Sequence, residues 1–317
     1  MRVLVAVGGN AMTAPDGSAR PEDQIAAVRR AAEPIADLVA AGHEVLITHG
    51  NGPQVGNLLV KNELAAAVVP PVPLDWCVAQ TQATIGFILV NALERAFAAR
   101  GLATPVATVV TRTLVADDDP GFADPAKPIG RYLPEAEARP MVEHGQIWQD
   151  RGARGWRRVV ASPEPEQILD APAIRALASA GFVVVASGGG GIPVVDEPDG
   201  SIRGVEAVID KDLAAAVLAR AIGADVLVIA TDVDAAVIGY GTADAKPIGD
   251  TTPAELRGYG AEFEGGSMRP KVEAVCRFVE AGGERGVITS LEKIFDGAAG
   301  RAGTVVQTPK AEGRPNA

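Results

Sequence analysis

Three apolar, β-branched runs in this chain each end in a glycine loop. Val3-Leu4-Val5-Ala6-Val7 runs into Gly8-Gly9-Asn10-Ala11, and Val45-Leu46-Ile47-Thr48 into His49-Gly50-Asn51-Gly52-Pro53-Gln54-Val55-Gly56. Phe182-Val183-Val184-Val185-Ala186 runs into Ser187-Gly188-Gly189-Gly190-Gly191. Glycines let backbone N–H groups approach a ligand, and a helix after such a turn offers unpaired N–H groups and the positive end of its dipole. Pro53 suits the first turn of that helix. One such loop alone reads equally well as a tight strand-to-helix turn. Three at strand ends predict a ligand crevice at the carboxyl edge of an open α/β sheet.

Further apolar runs near 105–111, 225–231 and 285–289 join those near 2–7, 44–49 and 182–187, with helical patterns at 22–41, 75–100, 164–180, 211–222 and 268–282 between them. This alternation predicts a three-layer αβα protein with an open, mainly parallel sheet covered on both faces. Residues 114–160 break the pattern, being rich in Asp, Pro and Gly. A connection of that length needs structure of its own, and we read it as a small protruding subdomain or lid, with Lys127 near its tip.

Composition narrows the functional classes. A formal charge of −11 over 317 residues disfavours nucleic acid and anionic membranes as partners and requires any anionic substrate to meet locally placed lysines. No charged leader followed by an apolar stretch opens the chain, and no uninterrupted apolar run reaches the about 20 residues of a membrane span, so a cytoplasmic protein is expected. Cys77 and Cys276 stand far apart and read as reduced thiols. His43, His49 and His144 show neither metal-ligand spacing nor a nucleophile partner, and no protein-held metal is predicted.

Neither a Walker A motif nor a G-x-G-x-x-G followed by an acid about 20 residues on is present. What stands out instead is Lys211. It opens a helix whose apolar residues are Leu213, Ala214, Val217, Leu218 and Ala221, with Asp210 as the N-cap. A lysine there opposes the helix dipole, which is tolerable beside a bound anion and equally for a solvated surface side chain. Lys271 repeats the arrangement after Gly265-Gly266-Ser267-Met268-Arg269-Pro270.

These segments, with Pro73-Leu74-Asp75, Lys127-Pro128-Ile129-Gly130, Gly155 to Pro165, Val208 to Leu213, Thr231-Asp232-Val233-Asp234 and Ile288-Thr289-Ser290-Leu291, resemble carbamate kinase, of the amino acid kinase fold, over essentially the whole length. The resemblance implies reversible transfer of the ATP γ-phosphoryl to carbamate, often run from carbamoyl phosphate and ADP toward ATP in arginine or purine-nitrogen catabolism. It implies MgATP and MgADP, with Mg2+ held by the nucleotide phosphates, and a homodimer formed through the amino-terminal lobe; the apolar helix 75–100, with Ile85, Phe87, Ile88 and Leu89 near its middle, could serve that contact or equally be buried core.

Carried over residue by residue, Gly8, Gly9, Asn10, Asn51 and Gly52, with Gly50, Gln54, Gly188, Gly189 and Gly190 beside them, would surround the transferred phosphoryl and the carbamoyl end. Lys211 and Lys271 would meet ATP phosphates, Asp210 would orient lysine side chains, and Lys127 would reach in from the subdomain. Thr231, Asp232, Tyr240, Met268 and Lys271 would adjoin the nucleotide. Residues 1–205 would form the lobe for carbamate and 206–310 the nucleotide lobe, with a disordered tail at 311–317. Acetylglutamate and aspartate kinases carry a lysine in the first glycine loop where this chain has Val7, which makes Lys127 the natural substitute.

Two departures stand out. The family's usual Pro-Ile-Gly-Pro-Phe-Tyr is one residue shorter here, with Arg131 and Tyr132 after Gly130, and Asp234-Ala235-Ala236-Val237 replaces a segment that more often holds a lysine or glycine and an aromatic. The first leaves open a kinase for another small carboxylate, or a non-catalytic protein binding nucleotide or carbamoyl phosphate.

Overall fold

The glycine-terminated runs are strands, and they lie side by side. The computed structural model describes residues 1–9, 20–143, 145–263 and 267–309, so Asn10, His144, Gly265, Gly266 and the 311–317 tail fall outside the described residues. The main sheet contains β1 (Arg2–Val7), β2 (Glu44–His49), β3 (Val106–Thr108), β9 (Val183–Val185), β12 (Val226–Thr231), β15 (Asp250–Thr251), β16 (Arg285–Ser290) and β17 (Thr304–Val306). Their order is β15-β17-β16-β12-β1-β2-β9-β3, and every neighbouring pair is parallel except β16 and β17.

Alternation along β1 builds the layers. Val3, Val5 and Val7 pack with α1 (Pro21–Ala40), α3 (Leu74–Ala99) and α10 (Ile294–Ala298), while Leu4 and Ala6 face α6 (Ala171–Ser179), α7 (Lys211–Ile222), α8 (Pro253–Gly258) and α9 (Met268–Glu280). Burying each such Val or Leu contributes about 1.5–3 kcal/mol. The fold class is therefore the one read from the sequence. Helix α3 is long and apolar enough to cross a membrane by length and composition, yet Leu89, Leu93 and Phe97 are buried in the core against α1 and the sheet.

Segments between β3 and α6 and after β9 build smaller sheets. One sets β4 (Arg112–Leu114) between β8 (Gln167–Ile168) and β10 (Ile192–Asp196), with β11 (Ile202–Gly204) outside β10. Another is the three-stranded sheet of β5 (Lys127–Leu133), β7 (Trp156–Val160) and β6 (Ile147–Asp150), accompanied by α4 (Pro120–Ala123) and α5 (Glu135–Glu143). Helix α2 (Gly52–Ala65), which follows the second glycine loop, packs through Val55 and Leu59 against Ile129 of β5. β13 (Val237–Ile238) and β14 (Lys246–Pro247) form a hairpin beside the carboxyl end of β12.

Two expectations need correction. The helix read at 164–180 starts only at Ala171, because Pro163 and Pro165 hold the preceding backbone away from helix and Gln167–Ile168 pairs with β4 instead. Of the apolar residues read on α7, Ala214 and Leu218 are buried and Leu213, Val217 and Ala221 only partly so, and burial extends further round the helix, to Asp212, Ala215, Ala216, Ala219 and Ile222. Cys77 and Cys276 are free and buried, and burial pushes the Cys276 thiol up to about 11, which leaves it unreactive.

Gly286 lets β16 touch the backbone of α9, since a Cβ there would lie 2.7 Å from Val275 Cβ and 3.0 Å from the Val275 carbonyl oxygen. Gly286→Ala should therefore cost about 1–3 kcal/mol in urea unfolding rather than stabilise the strand. An unchanged midpoint would show that α9 is free to shift.

Candidate active site

Five charged side chains meet beyond the ends of β1, β2 and β9. Asp210 precedes α7 in an extended conformation, and its Oδ1 accepts from the backbone N–H of Asp212 at 2.9 Å and of Leu213 at 3.4 Å. Its other oxygen accepts from Lys127 Nζ at 2.9 Å, tying β5 to the start of α7. One carboxylate thus caps a helix and holds the lysine of β5.

Asp212 does the corresponding work for the other two lysines. It accepts from Lys211 Nζ through Oδ1 and from Lys271 Nζ through Oδ2, the latter at 2.9 Å, and its side chain is only 3% exposed. Burial alone would raise the Asp212 carboxyl, but the ammonium groups of Lys211 and Lys271 outweigh it and hold the group below the ordinary carboxylate range. Burial lowers the Lys211 ammonium; Asp212 opposes that shift and the charge of Lys271 adds to it. The expected role of Asp210 as the carboxylate that orients lysines is thus divided, with Lys127 on Asp210 and the helix-start pair on Asp212.

The glycine loops form the opposite wall by close backbone approach. A Cβ on Gly50 would sit 2.7 Å from Gly9 N and 3.3 Å from Lys211 Cδ, and one on Gly189 (φ +68) would sit 2.1 Å from Asn51 Nδ2. Gly8 lies against the Ala230 carbonyl of β12, and Gly190 against Ile209. Asn51 is oriented by Thr81 of α3, to whose Oγ1 its Nδ2 donates at 2.9 Å. Gln82, one residue on, donates to the carbonyls of Thr111 and Gly188, which holds the third loop where Ser187 takes a left-handed φ of 53°. The His49 ring lies against Gly188, with Nδ1 2.9 Å from the Gly50 carbonyl, and burial lowers its pKa to about 4. A neutral, buried imidazole supports the loop and exchanges no proton near neutrality.

Asn51, Gly52, Lys127, Gly189, Asp210, Lys211, Asp212 and Lys271 border one cavity of about 310 Å3, with Val208, Ile209, Ser267 and Pro270 completing it. A second cavity of about 220 Å3 brings together Thr231, Asp232, Tyr240 and Met268 with Val233, Ala235, Phe263 and again Ser267. Thr231 donates to Asp232 at 2.9 Å at its inner end. Gln54 stands apart, its amide donating to Gln24 of α1 at 2.9 Å. Asn10 lies outside the described residues. Reading the sequence assigned no role to Asp212, Thr81, Gln82 or Ser267. The available signal for Asp212 was an acid in register with Ala215, Ala216, Ala219 and Ile222 on the buried side of α7.

The arrangement suits oxyanions, for it offers ammonium groups at two helix starts, and neither wall presents an activated nucleophile. Among the described residues no group of three or more His, Cys, Asp or Glu side chains is placed to hold a metal ion.

Comparison with known proteins agrees. Residues 1–290 match the amino acid kinase family. The chain is 47% identical over 311 residues to a carbamate kinase of Thermococcus kodakarensis, covering 96% of this chain and 98% of that one. The carbamate kinase of Giardia lamblia solved with AMP-PNP superposes with a TM-score of 0.91 at 38% identity, covering 96% of this chain and 98% of that one. An aspartate kinase of Synechocystis, 15% identical with a TM-score of 0.57, covers 98% of this chain and 40% of that one and shares the fold alone.

Replacing Asp212 by Asn should cost about 3–5 kcal/mol near neutral pH, because two buried ammonium groups lose their counter-charge. A depressed carboxyl contributes stability above its unfolded pKa and loses it as pH falls through the folded one, so the gap between wild type and variant should close on acidification below the ordinary value of 3.8. A gap independent of pH in unfolding experiments would refute the bridge.

Proposed function

The chain belongs to the amino acid kinase family, and on that premise we propose that it is a carbamate kinase, transferring the γ-phosphoryl of ATP to carbamate and running in reverse from carbamoyl phosphate and ADP. The observation that carries this reading is the cavity walled by Lys127, Lys211 and Lys271 and by glycine backbone, joined at Ser267 to a cavity for the rest of the nucleotide. Phosphoryl transfer asks a protein for positioning and charge neutralisation more than for covalent chemistry.

In the forward direction a carbamate oxygen forms the new bond to Pγ as the bond from Pγ to the β-bridging oxygen breaks and ADP departs. Lys211 and Lys271 neutralise charge on the phosphoryl oxygens, and Asp212 fixes where their ammonium groups stand. Asn51 and Gly52 border the acceptor side with Lys127, which Asp210 holds at the mouth. Gly8, Gly9, Gly50, Gly188 and Gly190 let the loops close to this spacing, and Asn10 belongs to the same side by its place in the first loop. We assign Thr231, Asp232, Tyr240 and Met268 to the nucleotide, 1–205 to the acceptor lobe and 206–310 to the nucleotide lobe. Both carboxylates of the phosphoryl cavity are committed to lysines, so Mg2+ would be held by the nucleotide phosphates, where it neutralises their charge. Gln54, turned toward α1, is left out of direct contact.

We also propose a cytoplasmic homodimer joined through α3. Ile85 and Leu89 face the core, but Trp76 and Phe87 remain exposed on the outer face, Phe87 at 65%. Phe87→Glu should yield monomers in sedimentation, and an unaltered mass would exclude this face.

The test is ATP formation from carbamoyl phosphate and ADP with Mg2+. Lys211→Ala should reduce the rate about 10²–10⁴-fold with the fold intact, and near-normal turnover would remove Lys211 from the site. Lys127→Ala should depress kcat while leaving ADP affinity within about twofold, as fits an acceptor-side role. An equal loss of ADP affinity would move Lys127 to the nucleotide.

A further inference from the structure

The shortened lid motif has a defined structural outcome. Pairing between β5 and β7 slips between Ile129 and Tyr132, so Gly130, at φ +66, and Arg131 form a bulge. Bulges re-aim side chains beside active sites. Gly130 backs onto Gly56 of α2, where a Cβ would lie 3.6 Å from Gly130 Cα, and the Arg131 side chain reaches along α2 to Glu63 at 3.3 Å.

Between α2 and β5 lies a cavity of about 520 Å3, bordered by Asn57, Gly130, Arg131 and Arg157. It shares Asn51, Gly52, Lys127 and Val208 with the phosphoryl cavity. Its charged lining residues, Lys127, Arg131 and Arg157, are all cations. Lys127 is paired with Asp210 and Arg131 with Glu63. Arg157 has no ion pair among the described residues: its guanidinium rests 4.9 Å from the Tyr132 ring centroid, Nη1 donates to the Tyr132 hydroxyl at 3.3 Å, and its buried Nε has no acceptor. A half-buried guanidinium that lines a cavity and has no carboxylate partner among the described residues favours an oxyanion. The chain as a whole carries −11, a field that repels anionic substrates, so a local cationic lane is needed to admit them.

Resting on the carbamate kinase reading, we propose that this cavity is an entry subsite for the acyl phosphate substrate, in which Arg157, with Arg131, holds the phosphate of carbamoyl phosphate before it passes Lys127 into the phosphoryl cavity. A planar fork suits a phosphate face better than a single ammonium does.

Steady-state ATP formation by the full chain tests it. Arg157→Gln should raise KM for carbamoyl phosphate about tenfold, more than it lowers kcat, with KM for ADP unmoved and Arg157→Lys recovering part of the loss. Added salt should lower kcat/KM for carbamoyl phosphate more in wild type than in Arg157→Gln. Unchanged KM for carbamoyl phosphate, or an ADP KM shifted equally, would overturn the subsite. Should neither protein make ATP, the kinase reading fails alone, and calorimetric titration of inorganic phosphate into the ADP-loaded chain still decides the subsite. Phosphate binding lost in Arg157→Gln upholds it, and equal binding in both, or a preference for acetate over phosphate, refutes it.

Discussion

Asp212 is the constraint on which the site depends. Two ammonium groups cannot share a dry cavity unaided, since each is destabilised by burial and by the other. A single carboxylate between them makes both tolerable and sets their separation. Lys211 and Asp212 open α7, Lys271 stands in the first turn of α9, and the two helices pack side by side on one face of the sheet. The spacing of the cations is thereby inherited from core packing, Gly286 against Val275 included, rather than from loop geometry.

The fold was legible because its signals are local and redundant: β-branched runs of the right length, glycine at their ends, helical periodicity between. The site was legible as a set of loops and lysines but not as a network. Asp210 announced itself as an N-cap. Asp212 did not, because α7 is rich in alanine and buried almost all round, and the apolar stripe read at Leu213, Ala214, Val217, Leu218 and Ala221 gave no sign that the side bearing Asp212 is buried too. The β5 bulge and the turn of Gln54 toward α1 depend on which elements meet across the fold, information that no local window of sequence contains.

Val7 shows how the site manages without a cation in the first loop. It is fully buried on β1 and packs into the core layer, and the described residues that follow it, Gly8 and Gly9, offer backbone only. Lys127 stands instead on β5, in a sheet that leans on α2 through Ile129 and is anchored at Asp210. The same sheet carries Arg131 and Arg157.

The protonation of this cluster sets fold and chemistry against each other. Lys211, with its ammonium depressed by burial, binds fewer protons in the folded chain than in the unfolded one, so stability from this group rises with pH between its lowered folded pKa and the ordinary lysine value. Over that same interval the site loses the charge it needs for a phosphoryl group. Asp212 runs the other way: its depressed carboxyl favours the fold above the acid range and is lost as pH falls. The ion-paired state is therefore bounded by Asp212 on the acid side and by Lys211 on the alkaline side. A bound phosphate shifts the second boundary upward, because an added anion stabilises the ammonium, and substrate itself then completes the charge balance that the empty fold only approximates.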